Sequence, residues 1–129
     1  LVNGSFVSGT NGWAVAGAIS IVNGVAVFSG GNQPAMGILQ QVSPTWNRVF
    51  TLRYSVSKVG CTFGQVPQLL VEVRNNASNA LIASWMSPGI TPTGYVRTFT
   101  ATGQTKIRFI DKTTDTQSCD VTLDNITLQ

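Results

Sequence analysis

The stretch DVTLDNITL, residues 120–128, decides the fold of this chain. Its first half alternates apolar and polar side chains, which places Val121 and Leu123 on one face of an extended strand. In its second half the apolar residues are Ile126 and Leu128, so the alternation changes parity at the Asp-Asn pair between the two halves. One extra residue in the strand, a β-bulge, would return both apolar sets to the same buried face. We therefore predict a bulged strand at the centre of an all-β domain, held by strands formed earlier in the chain.

The segment 49–59 is the best amphipathic strand in the sequence and the predicted partner of that closing strand. Its apolar residues alternate with polar ones and are Phe50, Leu52, Tyr54 and Val56. If the two strands are antiparallel neighbours, the register that brings Cys61 to Cys119 also brings Tyr54 to Ile126, with a shift of one residue at the bulge.

A disulfide between Cys61 and Cys119 would close a long loop and stabilise the fold by about 4 kcal/mol in the chain-entropy model. Two separate buried thiols are the alternative. Because the chain has the low charge of many extracellular proteins, the bridge is favoured.

The rest of the chain also has the pattern of short strands separated by turns. The clearest hairpin joins residues 19–22 to 25–28 through Asn23-Gly24, a dipeptide that tolerates the positive φ angles of a type I′ turn. Further strands are predicted near residues 1–6, 36–42, 69–73, 81–86, 95–101 and 106–110. About ten short strands at near-regular spacing indicate one domain over residues 1–129, a two-sheet antiparallel β-sandwich and most consistently a jelly roll.

Composition restricts the location and the partners. The 129 residues are 43% hydrophobic and only 10% charged, against about a quarter charged in an average protein. The net charge of +3 comes from scattered basic residues, so nucleic acid is not an expected partner. The sequence contains no apolar run of about 18 residues, so no membrane insertion is expected. The chain begins with Leu1, so it is either a mature product or a segment of something longer. We expect it outside the cell, or on a virion or cell surface.

Several segments, taken in chain order, are similar to one known family. They are NGSF (3–6) followed by GW (12–13), LQQV (39–42) leading into FTLRY (50–54), FTA (99–101) and DVTLDNI (120–126). Together they resemble carbohydrate-binding modules of the family 4/9/22 type. The resemblance implies a β-jelly roll of the galactose-binding-domain-like class that binds polysaccharide or cell-surface glycan without catalysis. The same fold recurs in phage tail and capsid accessory proteins, and fold alone does not determine function.

The sequence contains few residues that could act as catalytic acids or bases. The chain has no His, the most common general base, and its acidic residues are Glu72, Asp111, Asp115, Asp120 and Asp124. A glycosidase needs two carboxylates facing each other across a cleft. Asp111 and Asp115 lie in or beside a polar turn, where capping of the turn is the simpler interpretation. We predict that the protein is not an enzyme.

The resemblance also implies one structural calcium ion. Asp124 is the matching carboxylate, and backbone carbonyl groups near Ser5 and Gly30 could join it. Val7 stands where the family commonly has an acidic residue, and a single carboxylate is little charge for a dication that takes six to eight oxygen ligands. The alternative is that Asp124 hydrogen-bonds its own backbone at the bulge.

Sugar recognition requires flat apolar surface beside hydrogen-bonding side chains. Trp13 lies where the family that the chain resembles has a packing residue, so the resemblance implies that it packs in the core or covers an edge. The candidate ligand-binding residues are aromatic residues in strands or turns and polar residues on the strand faces, namely Trp46, Trp85, Tyr95, Arg97, Arg53 and Gln41. Trp46 is expected to be exposed in a Pro-containing turn, and Arg53 and Gln41 are expected on the polar faces of their strands. Each of these residues has a structural alternative, as core cover or as an isolated surface side chain.

Two functions therefore compete. The first is a non-catalytic glycan-binding module that uses aromatic stacking and polar contacts. The second is a structural, decoration or adhesion subunit of a virion or extracellular fibre, which would bury an apolar surface against neighbouring subunits or copies of itself. Low charge favours the second function, and the resemblance favours the first.

Overall fold

A computed structural model describes residues 1–31, 36–62, 64–114 and 119–129 of the chain. These residues form ten β-strands and no helix, so none of the described segments is a helix able to cross a membrane. The strands are β1 (Ala14–Ala16), β2 (Ile19–Val22), β3 (Val25–Phe28), β4 (Ile38–Val42), β5 (Trp46–Val59), β6 (Gln68–Asn75), β7 (Leu81–Pro88), β8 (Thr93–Gly103), β9 (Thr105–Asp111) and β10 (Asp120–Leu128).

The strands form two five-stranded antiparallel sheets, which we call the front sheet and the back sheet. The order in the front sheet is β1-β4-β9-β6-β7, and the order in the back sheet is β2-β3-β10-β5-β8. Strands β6 and β7 form a hairpin within one sheet. All the other connections after β3 cross from one sheet to the other. The predicted two-sheet jelly roll is confirmed.

The closing strand β10 lies at the centre of the back sheet, between β3 and β5. Its register on β5 runs from Asp120 opposite Val59 to Asp124 opposite Ser55, and then shifts by one residue so that Thr127 lies opposite Arg53. Asn125, in the shift, has a φ angle of 53°. The predicted bulge is therefore present, and it returns the apolar side chains after it to the core.

The two sheets share one core. Inward side chains of β5 meet those of β6 and β9, and the rings of Tyr54 and Phe109 join the two layers at a centroid distance of 5.6 Å. Trp13 is 8% exposed and packs against Phe6 and Phe109, as expected for a core residue.

The Cys61–Cys119 disulfide is formed, with 4.2 Å between the two Cα atoms. It joins the chain just beyond the end of β5 to the residue that precedes β10. The bridge therefore links the N-terminal end of β10 to the C-terminal end of β5, as the antiparallel register predicts.

The first six residues do not form the predicted strand. Asn3 and Phe6 have φ angles of 52° and 55°, and the Asn3 amide nitrogen donates to the carbonyl oxygens of Gly9 and Asn11. An Asn side chain that binds nearby backbone in this way favours turns over strands. The segment packs on the bulge instead, where the Ile126 N–H donates to the Gly4 carbonyl oxygen at 3.0 Å.

Candidate functional site

The outward side chains of the front sheet, which we call the front face, lie in rows across the strands. One row is apolar and runs through Ala16, Ile38, Ile110, Leu70 and Met86, of which Ile110 is only 5% exposed. The adjacent row is mostly polar and runs through Ala14, Gln40, Arg108, Glu72 and Ser84. Apolar surface beside a line of amide, guanidinium and carboxylate groups suits a ligand that has both C–H faces and hydroxyl groups.

Glu72 anchors the polar row. The residue is only 8% exposed, and its carboxylate accepts hydrogen bonds from Arg108 Nη1 at 3.0 Å and from Arg74 Nε and Nη2 at 3.2 and 2.9 Å. The hydrogen bond from Arg74 holds the pKa of Glu72 below its ordinary value, although burial acts in the opposite direction. The carboxylate is therefore charged at neutral pH and holds both guanidinium groups in place.

Arg108 keeps N–H donors that Glu72 does not use, and its side chain is 22% exposed. Its Nε atom is buried and has no hydrogen-bond partner among the described residues. The side chain lines a cleft of about 160 Å³ on the front face, together with Ala14, Val15, Ala16, Ile38 and Gln40. A neighbouring depression of about 500 Å³ shares Ala14 and Gln40 with this cleft, and is otherwise lined by Leu1, Val2, Gly12, Gln41, Val42, Ser43 and Pro44. We call the two together the β1–β4 groove.

Three of the predicted ligand residues, Trp85, Tyr95 and Arg97, come together at the lateral opening between β7 and β8. The Arg97 guanidinium lies 5.7 Å from the Trp85 ring centroid and 5.0 Å from that of Tyr95. Arg97 Nε also donates to the Tyr54 hydroxyl at 3.3 Å, and the Tyr95 hydroxyl donates to the Pro88 carbonyl oxygen at 2.8 Å. Burial raises the pKa of Tyr95. These residues, the flank cluster, close the side of the sandwich, and their role in binding stays a prediction.

Trp46 lies apart from the flank cluster. It opens β5 instead of sitting in the turn where it was expected, and it is 40% exposed. Its ring stacks on Phe50 at 5.1 Å and carries the Arg48 guanidinium 4.4 Å from its centroid. Trp46 lies opposite Gly103 on β8, at the far end of the ladder that pairs Tyr54 with Tyr95.

Gln41 and Arg53 lie on different surfaces of the molecule. The expected position of Gln41 on a polar strand face is wrong, because Gln41 shares the inward face of Leu39 and is 9% exposed. Its amide accepts from the Val2 N–H and donates to the Val2 carbonyl oxygen at 2.9 Å, so it fixes the N-terminal segment. Arg53 is exposed on the outer face of the back sheet, opposite Val96 and Thr127.

The residues proposed for calcium fit such an ion only in part. Asp124 has a buried Oδ1 atom without a hydrogen-bond partner among the described residues, so this oxygen makes no bond to the backbone of the bulge. Because Leu123 pairs with Ala26, Asp124 lies at the Gly24 end of β3, and the Ser5 carbonyl oxygen also lies close to Gly24. The expectation for Gly30 is wrong, since Gly30 follows the opposite end of β3. The described residues contain no cluster of three or more His, Cys, Asp or Glu side chains able to hold a metal ion.

The sequence did not single out the front face. Gln40, Arg108 and Glu72 lie on three strands that are distant in the chain, and only the sheet order β4-β9-β6 places them side by side. The available signal was the parity of each residue, since all three alternate with core residues of their own strands. Asp115, considered above as a catalytic acid, lies outside the described residues.

Comparison with known proteins shows which fold this is. Searches against protein-family models and curated protein sequences found no match. Among solved structures, a family 4 carbohydrate-binding module is 18% identical, with a TM-score of 0.68 over 96% of this chain and 98% of that one. A family 61 module in complex with β-1,4-galactotriose is 16% identical, with a TM-score of 0.70 over 100% of this chain and 96% of that one.

A third match is the enzymatically active domain of tailspike protein 4 of bacteriophage CBA120. It is 15% identical, with a TM-score of 0.69 over 99% of this chain but only 21% of that one. The chain therefore has the jelly-roll fold of carbohydrate-binding modules, as the sequence resemblance predicts, and this fold also occurs as one part of a larger phage protein.

Proposed function

We propose that this protein binds a glycan on its front face, along the β1–β4 groove and the polar row beside it, and does so without catalysis. The observation that carries the proposal is Arg108. Its guanidinium is fixed by the hydrogen bond from Nη1 to Glu72, and the side chain, which is 22% exposed, lines an open cleft beside Gln40. A guanidinium has five N–H donors, so the exposed donors that Glu72 does not use can bond to ligand hydroxyl groups in the cleft. The shared fold and the galactotriose complex of a related structure support a glycan as the ligand.

The groove suits a saccharide in two ways. The amide of Gln40 can both donate to and accept from sugar hydroxyls, and the Arg108 guanidinium donates in a fixed plane. Ala14, Ala16 and Ile38 supply apolar surface for the C–H face of a pyranose ring. The aromatic residues of the front sheet, Trp85 and Phe109, lie on the strand faces that contact the core. Binding would therefore depend on hydrogen bonds more than on ring stacking, and we expect a Kd of about 0.1 mM, near −5.5 kcal/mol.

The test is titration calorimetry with soluble β-1,4-linked galactan, glucan and xylan oligosaccharides. Arg108→Ala and Gln40→Ala should each weaken binding about tenfold, since one hydrogen bond to a charged group is worth about 1.5–3 kcal/mol and a neutral one somewhat less. Arg53→Ala is the matched control, because it removes an exposed guanidinium from the opposite face and should leave binding unchanged. Glycan binding that survives Arg108→Ala and Gln40→Ala would reject this site, and a protein silent on all glycans would reject the function.

The flank cluster is the second candidate surface for the same function. Trp85 and Tyr95 offer aromatic rings of the kind that stack on sugars, and Arg97 lies over both rings. The same titration distinguishes the surfaces, since Trp85→Ala should abolish binding at the flank and leave binding at the groove intact.

The competing function is a structural, decoration or adhesion subunit of a virion or extracellular fibre. The match to part of a phage tailspike protein supports it. Either function fits our proposal that the chain works outside the cell or on a virion or cell surface, because disulfides such as Cys61–Cys119 persist in oxidising environments.

We also propose a structural calcium ion at Asp124, supported by its unpartnered buried Oδ1 atom and by the Ser5 carbonyl oxygen close to Gly24. A metal that binds only the folded state raises the melting temperature. We expect millimolar calcium to raise the Tm by several degrees over EDTA, and Asp124→Asn to remove this increase. An equal Tm with and without calcium would reject the ion.

A further inference from the structure

The outer strands of the two sheets differ in how well their free edges are protected. Among the described strands, β1 and β2 are edge strands of only three and four residues. The edge strand β7 pairs with β6 through a register shift at Val73/Arg74 and ends in Pro88. Short strands, bulges and prolines are the usual devices that prevent edge-to-edge pairing. The fourth edge strand, β8, runs for 11 residues without Pro or Lys, and its register on β5 is uninterrupted.

The hydrogen bonds of β5 show which backbone groups of β8 face the open edge. The N–H and C=O of Thr51 both bond to Gln129, on the β10 side of the strand. Because successive residues of an antiparallel strand bond to opposite sides, Phe50 and Leu52 bond toward β8, to their partners Phe99 and Arg97. The alternate residues of β8 therefore direct their N–H and C=O groups away from β5, and these residues are Gly94, Val96, Thr98, Thr100 and Thr102.

The side chains of β8 do not prevent another strand from pairing with this edge. Its one charged residue, Arg97, points inward and lies over Trp85 and Tyr95. Val96, at the exposed face, is 58% exposed, and Val49 on the neighbouring strand β5 is 59% exposed. A long, regular edge with threonines, a valine and no outward charge is a template for another β-strand.

We propose that the partner is a second copy of this chain, paired antiparallel through β8 about a two-fold axis at Thr98. In this register Thr98 faces the partner's Thr98, Val96 faces the partner's Thr100, and Gly94 faces the partner's Thr102. All of these residues present outward backbone groups, so the five pairs form about ten hydrogen bonds.

The same register places Arg97 opposite the partner's Phe99 and opposes no like charges. A register centred one residue earlier would oppose the two Arg97 side chains. Self-complementarity of this kind is what a closed two-fold interface requires. The result is one continuous ten-stranded back sheet that spans both copies.

Cysteine cross-linking tests the register. Thr98→Cys should form an intermolecular disulfide under mild oxidation, because paired Cα atoms at such an axis lie about 5.5 Å apart, within disulfide range. Thr100→Cys is the matched control, since it faces the partner's Val96 and lies four residue positions, or about 13 Å, along the ladder from its counterpart, so it should not cross-link. The native Cys61–Cys119 bridge is kept in both variants.

Sedimentation velocity tests the association itself. The wild type should reach twice the monomer mass of 13.7 kDa with rising concentration. Thr98→Pro should stay monomeric with little change in Tm, because the N–H that it removes faces the open edge and not β5. Val49→Lys changes the same face away from the edge and should still dimerise. A wild type that remains monomeric at millimolar concentration, or equal cross-linking of both cysteine variants, would overturn the proposal.

Discussion

Asn125 shows what a single residue contributes to this fold. It lies exposed in the β10 bulge with a φ angle of 53°, a left-handed conformation that L-residues other than Asn and Asp rarely adopt. Its place in the structure therefore depends on backbone conformation more than on side-chain packing.

Substitutions at Asn125 should follow backbone preference. We expect Asn125→Ala to lower the free energy of unfolding by about 1–2 kcal/mol, the cost of a left-handed conformation for a residue with a Cβ and no local hydrogen bond. Asn125→Gly should be nearly neutral, since Gly adopts this φ freely. Urea unfolding measures both. An alanine variant as stable as the glycine variant would contradict the bulge geometry.

Asp111 is a buried carboxyl group, and stability should depend on its protonation. Its Oδ1 accepts the Thr113 N–H at 3.0 Å, whereas Oδ2 is buried without a hydrogen-bond partner among the described residues. Burial raises the pKa of Asp111 above its ordinary value, against the hydrogen bonds from Thr113. The folded state therefore binds this proton more tightly than the unfolded state, and stability rises as pH falls through the raised pKa to below about 3.9.

Asp111→Asn, which cannot titrate, should be more stable than the wild type at pH 7, and this difference should shrink as pH falls. Urea unfolding from pH 7 to pH 4 measures the difference. Glu72→Gln is the control of opposite sign, because the Glu72 pKa is lowered. Its stability deficit should persist above about pH 4.5 and fade only as pH falls through the lowered pKa. A difference for Asp111→Asn that is constant over this range would show that the carboxyl group does not titrate with folding.

The sequence predicted the positions of some residues in the fold and not those of others. The bulge followed from the change of parity in the closing strand, because backbone alternation is a local property, whereas the core position of Trp13 followed from the family resemblance. Gln41 was misplaced because it occupies an inward position at the end of a strand, where the Val2 backbone satisfies its amide. The residues near Gln41 in the sequence do not indicate that its amide binds the backbone of Val2, 39 residues away.

At the scale of elements, β10 depends on three attachments. They are its hydrogen-bonded ladder to β5, its ladder to β3, and the Cys61–Cys119 bridge just before its first residue. The ladders form only on folding, whereas the bridge also restricts the unfolded chain.

Removing the bridge should therefore cost stability without changing the fold. We expect the Cys61→Ala, Cys119→Ala double variant to lose about 4 kcal/mol of unfolding free energy. Chemical denaturation, with circular dichroism of the native state as a check on the sheet content, measures it. A loss below about 1 kcal/mol would show that the unfolded chain gains little freedom when the bridge is absent.

The prediction of strands succeeded where apolar and polar side chains alternate. It failed where a side chain hydrogen-bonds to the backbone of its own segment. The ladder of β5 and β10 follows directly from the apolar pattern. The N-terminal segment has a strand-like composition, but Asn3 folds it into turns. Propensity cannot foresee a side chain that competes for the backbone groups of its own segment.

For the whole molecule, one shared core implies one unfolding transition. Side chains of both sheets interlock, as the Tyr54–Phe109 contact shows, so neither sheet has a core of its own. We expect calorimetry to give a single transition with an enthalpy of about 90 kcal/mol, from about 0.7 kcal/mol per residue. Equal calorimetric and van't Hoff enthalpies would support the prediction that residues 1–129 form one domain, and two transitions would contradict it.

The candidate site belongs to this scale too, which is why the sequence did not reveal it. Gln40, Arg108 and Glu72 become neighbours only through the order of β4, β9 and β6. Strand existence follows from alternation, but the order of strands in a sheet is set by the packing of the whole chain.

The free edge of β8 has a consequence for how such a protein would hold an insoluble target. A two-fold axis between antiparallel edge strands stands perpendicular to their sheet, so both front sheets would lie on the same side of the joined back sheet and look in one direction. Two weak grooves directed at one surface act as linked contacts, and the second contact forms at a high effective concentration once the first is made. Two contacts that each have a Kd of about 0.1 mM could together give durable attachment to a solid matrix, while each separate saccharide still exchanges freely.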